Sequence, residues 1–157
     1  MDEKRRVKQI EIYDDNGNLE YTMIPNYKEH ENFMTQNELR FYKFLINVVI
    51  ELKEKYNLRL TIFAQVALNR LIDVNNERRM NPLFDKISRK SIDFALLDES
   101  TNKIYCCIEL DDRTHERDDR KERDILLDKV FKDNIKLIHI ERQDYYDTND
   151  IIQKILN

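Results

Sequence analysis

The chain has 157 residues and a formal charge of −4, with 41% of its residues hydrophobic and 37% charged. That length suits one compact core, and with no eighteen-residue apolar run no membrane span is expected. The negative balance argues against a protein that coats nucleic acid through bulk positive charge, while leaving room for a local basic patch.

The single glycine, Gly17, excludes a glycine-rich phosphate loop or dinucleotide fingerprint, which need several. The two cysteines, Cys106 and Cys107, are neighbours. In a strand they point to opposite faces and make a poor disulfide pair, so reduced thiols and a cytoplasmic location are expected. The opening MDEKRRVKQIEIY has basic residues but no apolar core after them, so secretion is not expected. With no metal-type cysteine pair and no H-E-x-x-H, zinc sites of the common kinds are not expected.

Residues 8–13 (KQIEIY) and 19–24 (LEYTMI) flank DDNGN, and Asn16-Gly17 between alternating runs predicts a hairpin closed by a type I′ turn. Residues 25–34, opened by Pro25, read as a loop. Thr35-Gln36-Asn37-Glu38 starts a helical pattern to about Tyr56, with Leu39, Tyr42, Leu45, Ile46, Val49, Leu52 and Tyr56 at helical spacing and Asn57 as its stop. Residues 58–68 predict a strand with Leu58, Leu60, Ile62, Ala64, Val66 and Leu68 on one face. Residues 69–90, with Pro82 and a basic end of Lys86, Arg89 and Lys90, predict a loop holding one or two short helical turns. Strands are predicted over 91–97 and 103–110, joined by DESTN, then a helix over 116–133, a strand over 136–141 and a helix over 149–156.

A helix, a three-strand meander, and a crossover helix to a fourth strand predict an α/β fold. Its sheet is mixed, with helices on both faces. The chain reads as one compact domain overall, with residues 1–34 a hairpin-and-loop extension of a domain over 35–157.

The strand Ile104-Tyr105-Cys106-Cys107-Ile108 runs into Glu109, Leu110, Asp111 and Asp112, and such packed like charges cost stability unless something positive sits among them. Alternation sets Ile92, Phe94 and Leu96 on one face of their strand, and Ile104, Cys106, Ile108 and Leu110 on one face of the next. Matching these apolar faces puts Asp93 on the side of Glu109 and Asp111. If Asp98 pairs with Ile104, Asp93 lies directly opposite Glu109. Clustered carboxylates at that place suit a hard divalent cation, Mg²⁺ or Mn²⁺. The competing reading is an exposed strand end with surplus surface charge.

The helix over 116–133 packs through Leu126, Leu127, Val130 and Phe131. Extending that arc toward its start brings in Asp119, Arg120 and Arg123, either as groups converging on a site or as a solvated first turn. Glu38 completes a Thr35-x-x-Glu38 capping box and also lies in line with Tyr42, Leu45 and Val49 on the core face, so capping and a role at a metal both fit it. His115, just past the acids, is either an ordinary loop histidine or a proton donor or acceptor near neutral pH. His30, in a polar loop, and His139, alternating within an apolar strand, have weaker cases.

S-I-D-F-A-L-L, then C-I-E-L-D-D-R-T-H, then R-x-x-R-D resembles a restriction-endonuclease-like domain of the PD-(D/E)XK superfamily. More narrowly, the set resembles a bacterial family of domains of unknown function numbered 2726, and is similar to the very-short-patch-repair endonucleases. The likeness spans roughly residues 34 to 147 and leaves the hairpin outside. It implies an α/β core with a four-stranded mixed sheet, and Mg²⁺ (or Mn²⁺) held by Asp93 and Glu109. Asp111 stands where the superfamily usually has lysine. It is implied to be a further metal ligand, with the cation supplied instead by Arg123, Lys129 or Lys121.

Glu38 matches the superfamily's frequent helix glutamate, and Gln65 a polar position on the neighbouring strand. His115 would relay or donate a proton. Lys86, Arg89, Lys90, Arg113, Arg117 and Arg120 would grip phosphates of a nucleic acid, DNA being the expected one. No membrane partner is expected. A homodimer is left open, since nucleases that cut both strands are often dimers. The alternative function is a catalytically inactive module of the same fold that binds nucleic acid or a protein. The abundance of Ile, Lys and Asn suggests an AT-rich bacterial or phage source.

Overall fold

The computed structural model describes residues 8–24, 28–72, 90–111, 125, 127–132 and 135–157. The chain divides into two units, Met1–Phe33 and Met34–Asn157.

The first unit is an antiparallel hairpin of β1 (Lys8–Tyr13) and β2 (Leu19–Ile24), with Tyr13 opposite Leu19 at its tip. The expected type I′ turn does not form. That turn needs positive φ at both central residues, whereas only Gly17 has it here, at 80°. The Asp14 carbonyl accepts from the Gly17 N–H at 2.9 Å, and the Asp14 carboxylate takes the N–H groups of Asn16 and Asn18 at 2.9 and 2.7 Å. A self-bonding aspartate has replaced the tighter turn.

The second unit is an α/β arrangement around a four-stranded mixed sheet in the order β3 (Leu60–Ala67), β4 (Ser91–Asp98), β5 (Lys103–Asp111), β6 (Leu137–Glu141). The first two neighbour pairs are antiparallel and β5–β6 is parallel. Ahead of the sheet runs α1 (Gln36–Tyr56), begun by the capping box at Thr35 and Glu38 and ended by Asn57 in the left-handed conformation at φ 54°. A short α2 (Leu68–Leu71) follows β3, and α3 (Thr148–Leu156), capped by Asp147, closes the chain. Of the predicted 116–133 helix, residues 125 and 127–132 are described; 125 and 127–131 are helical and Lys132 is a turn.

Two apolar clusters lie on the two sides of the sheet. The first joins Phe41, Leu45, Val48 and Leu52 of α1 and Ile151, Ile152 and Ile155 of α3 to Phe94, Leu96, Cys106, Ile108 and Leu110 of the strands. The second joins Leu68, Leu127 and Phe131 to Ile92, Ala95 and Cys107. The inward stripe of α1 is therefore Glu38, Phe41, Leu45, Val48, Leu52, rotated from the expected arc, and Ile46 and Tyr56 are exposed. A helix with apolar residues on two flanks offers two stripes of similar period, and the larger Phe41 ring takes the core.

Strand faces also differ from strict alternation. Ile62 and Ala64 pack on the first cluster but Val66 on the second; opposite them, Phe94 and Leu96 belong to the first and Ile92 to the second. Both strands change sides across one row. In that row Gln65 has φ 53°, and the β3–β4 pairing runs from Ala64↔Phe94 to Val66↔Ile92 with no pair between. A left-handed residue rotates the side-chain phase of a strand, so the expected single face over 58–68 breaks at Gln65.

The β4–β5 hairpin carries a bulge. Asp98 pairs with Lys103, not with Ile104 as expected, and Leu97 pairs with Ile104. Leu96 then pairs with Cys106, so Tyr105 is an extra residue. The offset sends Ile104 to the second cluster and Tyr105 to the first. Beyond it the pairs Ala95↔Cys107 and Phe94↔Ile108 restore the register that brings Asp93 and Glu109 into adjacent positions.

Candidate functional site

Asp93 and Glu109 are each one residue past the last backbone pair, Phe94↔Ile108. There the side chains take over from the ladder. The Asp93 N–H donates to Glu109 Oε2 at 3.2 Å, and the Leu110 N–H donates to Asp93 Oδ2 at 2.9 Å. Strand N–H groups point within the sheet toward the neighbouring strand. Carboxylates that accept from them are turned into the gap between β4 and β5 rather than standing side by side on one face, as alternation had suggested. Both are deeply placed, Asp93 at 9% and Glu109 at 4% exposure. These backbone amides fix the direction of both buried carboxylates.

Asp111 is two residues further along β5, at its end. Its carboxylate meets His139 Nδ1 at 3.1 and 3.2 Å, and His139 Nε2 meets Asp128 Oδ1 at 3.1 Å. The parallel register explains the meeting: Glu109 is opposite His139 and Asp111 opposite Glu141. Ile138 and Ile140 face the first cluster, so His139 between them faces the other side, where the helical residues 127–131 lie. Partial burial pulls the imidazolium down most strongly. The hydrogen bond and charge of Asp111, then those of Asp128, outweigh it, and the His139 pKa stands above its ordinary 6.5.

The two cysteines sit behind this end of β5. Burial pushes both thiols up to about 12, and for Cys107 the neighbouring Cys106 and Glu109 add to the effect. They are free, buried thiols that serve as apolar filling.

Glu38 is 8% exposed and its carboxylate accepts from the Thr35 N–H at 2.7 Å, while Thr35 Oγ1 accepts from the Glu38 N–H at 3.3 Å. Lys129 is exposed; the residue before it, Asp128, is the one that reaches His139. Lys90 is half-buried just ahead of β4, its carbonyl accepting from the Leu68 N–H at 2.9 Å. Gln65 Oε1 accepts from Ser91 Oγ at 3.4 Å. His30 is exposed in the first unit. His115, Asp119, Lys121, Arg123, Lys86, Arg89, Arg113, Arg117 and Arg120 lie outside the described residues.

The structure thus brings together Asp93 and Glu109, and separately Asp111 with His139 and Asp128. Asp128 was not expected at the site, and His139 was set behind His115. The signal for His139 was present in L-I-H-I-E, where a polar residue between two core isoleucines must face the opposite side. Its meaning depends on which strand lies beside β5.

Among the described residues, no group of three or more His, Cys, Asp and Glu side chains is arranged to hold a metal ion. Mg²⁺ is commonly bound through one or two carboxylates, with water and substrate phosphate completing its shell. Asp93 and Glu109, two hard oxygen donors on neighbouring strands, fit that smaller requirement. Asp111, also expected as a ligand, meets His139 at the end of β5.

No helix among the described residues is long and apolar enough to cross a membrane. No curated protein and no solved structure matches the chain. The family described as Protein of unknown function (DUF2726) matches residues 30–157, which includes α1, the whole mixed sheet and α3. The motifs from the helix glutamate to the I-E-L-D strand end all fall within that range, and the chain belongs to the DUF2726 family.

Proposed function

We propose that this domain is a metal-dependent phosphodiester hydrolase acting on nucleic acid, with DNA the favoured substrate, built on a restriction-endonuclease-like core. The observation that carries the reading is the Asp93–Glu109 pair. Two buried carboxylates meet across adjacent strands, and each is tied to the partner strand's backbone. An acidic strand end serving only as surface charge would be solvated.

Asp93 and Glu109 would hold Mg²⁺ or Mn²⁺. Such an ion, when bound, polarises a phosphoryl oxygen and acidifies a bound water. The amides of Asp93 and Leu110 hold the two carboxylates in place before any ligand arrives. Asp111 orients the His139 ring, and Asp128 holds its other nitrogen. His139 joins His115 as a candidate for exchanging a proton at this end of the sheet. Lys86, Arg89, Lys90, Arg113, Arg117 and Arg120 remain the candidates for gripping phosphates, and Arg123, Lys121 and Lys129 those for stabilising developing charge.

The test is a hydrolysis assay on mixed DNA and RNA with Mg²⁺ or Mn²⁺, comparing wild type with Asp93→Asn and Glu109→Gln. Metal-dependent cleavage lost in both variants supports the reading; cleavage unchanged in either sinks it.

One observation favours a second reading, a catalytically inactive module that binds nucleic acid or a protein. Asp111 occupies the lysine position and is bonded to His139. Calorimetric titration with Mn²⁺ separates the two, because the module binds nucleic acid without binding metal.

A further inference from the structure

Gln65 is a half-buried strand residue in a conformation that side chains with a Cβ rarely adopt, φ 53°. Asn57 and Asn102 share a positive φ, but they close a helix and a turn, where asparagine is at home. Gln65 lies inside β3, where neither excuse applies. Counting along the β3–β4 register from Ala64↔Phe94 to Val66↔Ile92, its opposite residue is Asp93.

Four observations converge on that row. The ladder skips it while keeping its register on both sides. Each strand changes sides across it, from the cluster of Phe41 to that of Leu127. The Asp93 carboxylate reaches in-sheet to the Leu110 N–H at 2.9 Å. Gln65 Oε1 accepts from Ser91 Oγ two residues before Asp93. In a regular strand Asp93 would alternate with Ala95 and face the second apolar cluster. The changed phase removes Asp93 from that series.

We infer that Gln65 is a positioning residue for the carboxylate pair: its left-handed backbone changes the phase of β3 and β4 at one row and so aims Asp93 at β5. The inference rests on the reading of Asp93 and Glu109 as a metal site. It adds that the site depends on a strained residue touching neither metal nor substrate. Strained backbone persists where surrounding structure holds it for a purpose.

The experiment compares wild type, Gln65→Gly, Gln65→Ala and Gln65→Val in the full chain. Mn²⁺ affinity is measured by calorimetry, Tm by thermal unfolding, and the Leu110 amide by NMR. Glycine accepts φ 53° freely and valine resists it. Gln65→Gly is expected to bind Mn²⁺ within about threefold of wild type with Tm unchanged or raised. Gln65→Val is expected to remain folded but lose roughly 10–100-fold in affinity, the scale of losing an outer supporting partner. Its Leu110 amide should shift toward that of an amide without a carboxylate acceptor. Alanine should fall between, and it decides the matter if the valine variant does not fold.

Gln65→Val and Gln65→Ala binding as wild type, with the Leu110 amide unmoved, overturns the inference. So does Gln65→Gly losing the metal while valine keeps it, since the amide side chain would then matter and not the backbone. If wild type binds no Mn²⁺, the metal-site reading fails by itself, and the Leu110 amide across the variants still decides what Gln65 does.

Discussion

His139 on β6 reaches Asp111 on β5 at 3.1 Å, and the opposite nitrogen of the same ring reaches Asp128 at 3.1 Å. One imidazole thus ties a strand end to the helical residues 127–131, and its charge state governs how tightly. With its pKa raised above the ordinary 6.5, His139 contributes stability that is fully present below that ordinary value and is lost as pH rises through the raised pKa. The stability gap between wild type and His139→Gln should therefore be widest in mild acid and shrink with alkalinity. Denaturant unfolding across pH measures it, and a gap that widens with pH contradicts the assignment. NMR titration of the ring gives the same answer directly, with Asp128→Asn lowering the measured pKa.

Phe94 is fully buried between α1 and the sheet, its ring 5.6 Å from that of Phe41 and stacked on Tyr42 at 6.3 Å. Removing it leaves a cavity that neither the sheet nor α1 is free to fill. Phe94→Ala should cost about 3–5 kcal/mol, read as a lower denaturant midpoint, whereas Phe63→Ala at the exposed 47% position should change little.

Thr35 accepts from the Glu38 amide and Glu38 returns the bond to the Thr35 amide. Thr35→Ala breaks the pair and should destabilise the chain by about 1 kcal/mol. Because the change touches only the start of α1, Mn²⁺ affinity at Asp93 and Glu109 should stay as it is. A variant that loses metal binding at unchanged stability would show that the Glu38 end of α1 serves the site as well as the helix.

The thiols of Cys106 and Cys107, pushed up to about 12 by burial, hold almost no thiolate at pH 8. The folded chain should resist alkylating agents at that pH, and both cysteines should react once denaturant exposes them. Mass spectrometry of the labelled protein counts the adducts, and rapid labelling of the native chain would contradict the burial.

Elements that announce themselves through local chemistry were legible in the sequence. Asn57 ends α1 as its left-handed tolerance suggests, and the capping box at Thr35 forms. Asp93 and Glu109 could be paired from strand periodicity alone, although the pairing assumed at the turn was one residue out and is rescued by the bulge. The side chains' direction could not be read, because the phase change at Gln65 is a backbone event with no residue signature: glutamine is not a residue that favours positive φ. The α1 stripe was misjudged because Ile46 and Val49 are as apolar as Phe41 and Val48. His139 required the strand order, which comes from the crossover and not from the six residues around it.

The extra residue makes β5 one residue longer than a regular ladder with β4 requires. On the turn side Ile104 already belongs to the second cluster, and on the acid side Cys106 belongs to the first. Take out Tyr105 and these two become consecutive, which is the order ordinary alternation demands. A one-residue deletion inside a central strand normally reverses every side chain beyond it. Here the shortened chain should close into a regular ladder with Glu109 still beside Asp93. A Tyr105 deletion is therefore expected to leave the Asp93 and Leu110 amide signals in an NMR spectrum close to those of the wild type, and a large shift of both would show that the acids had moved.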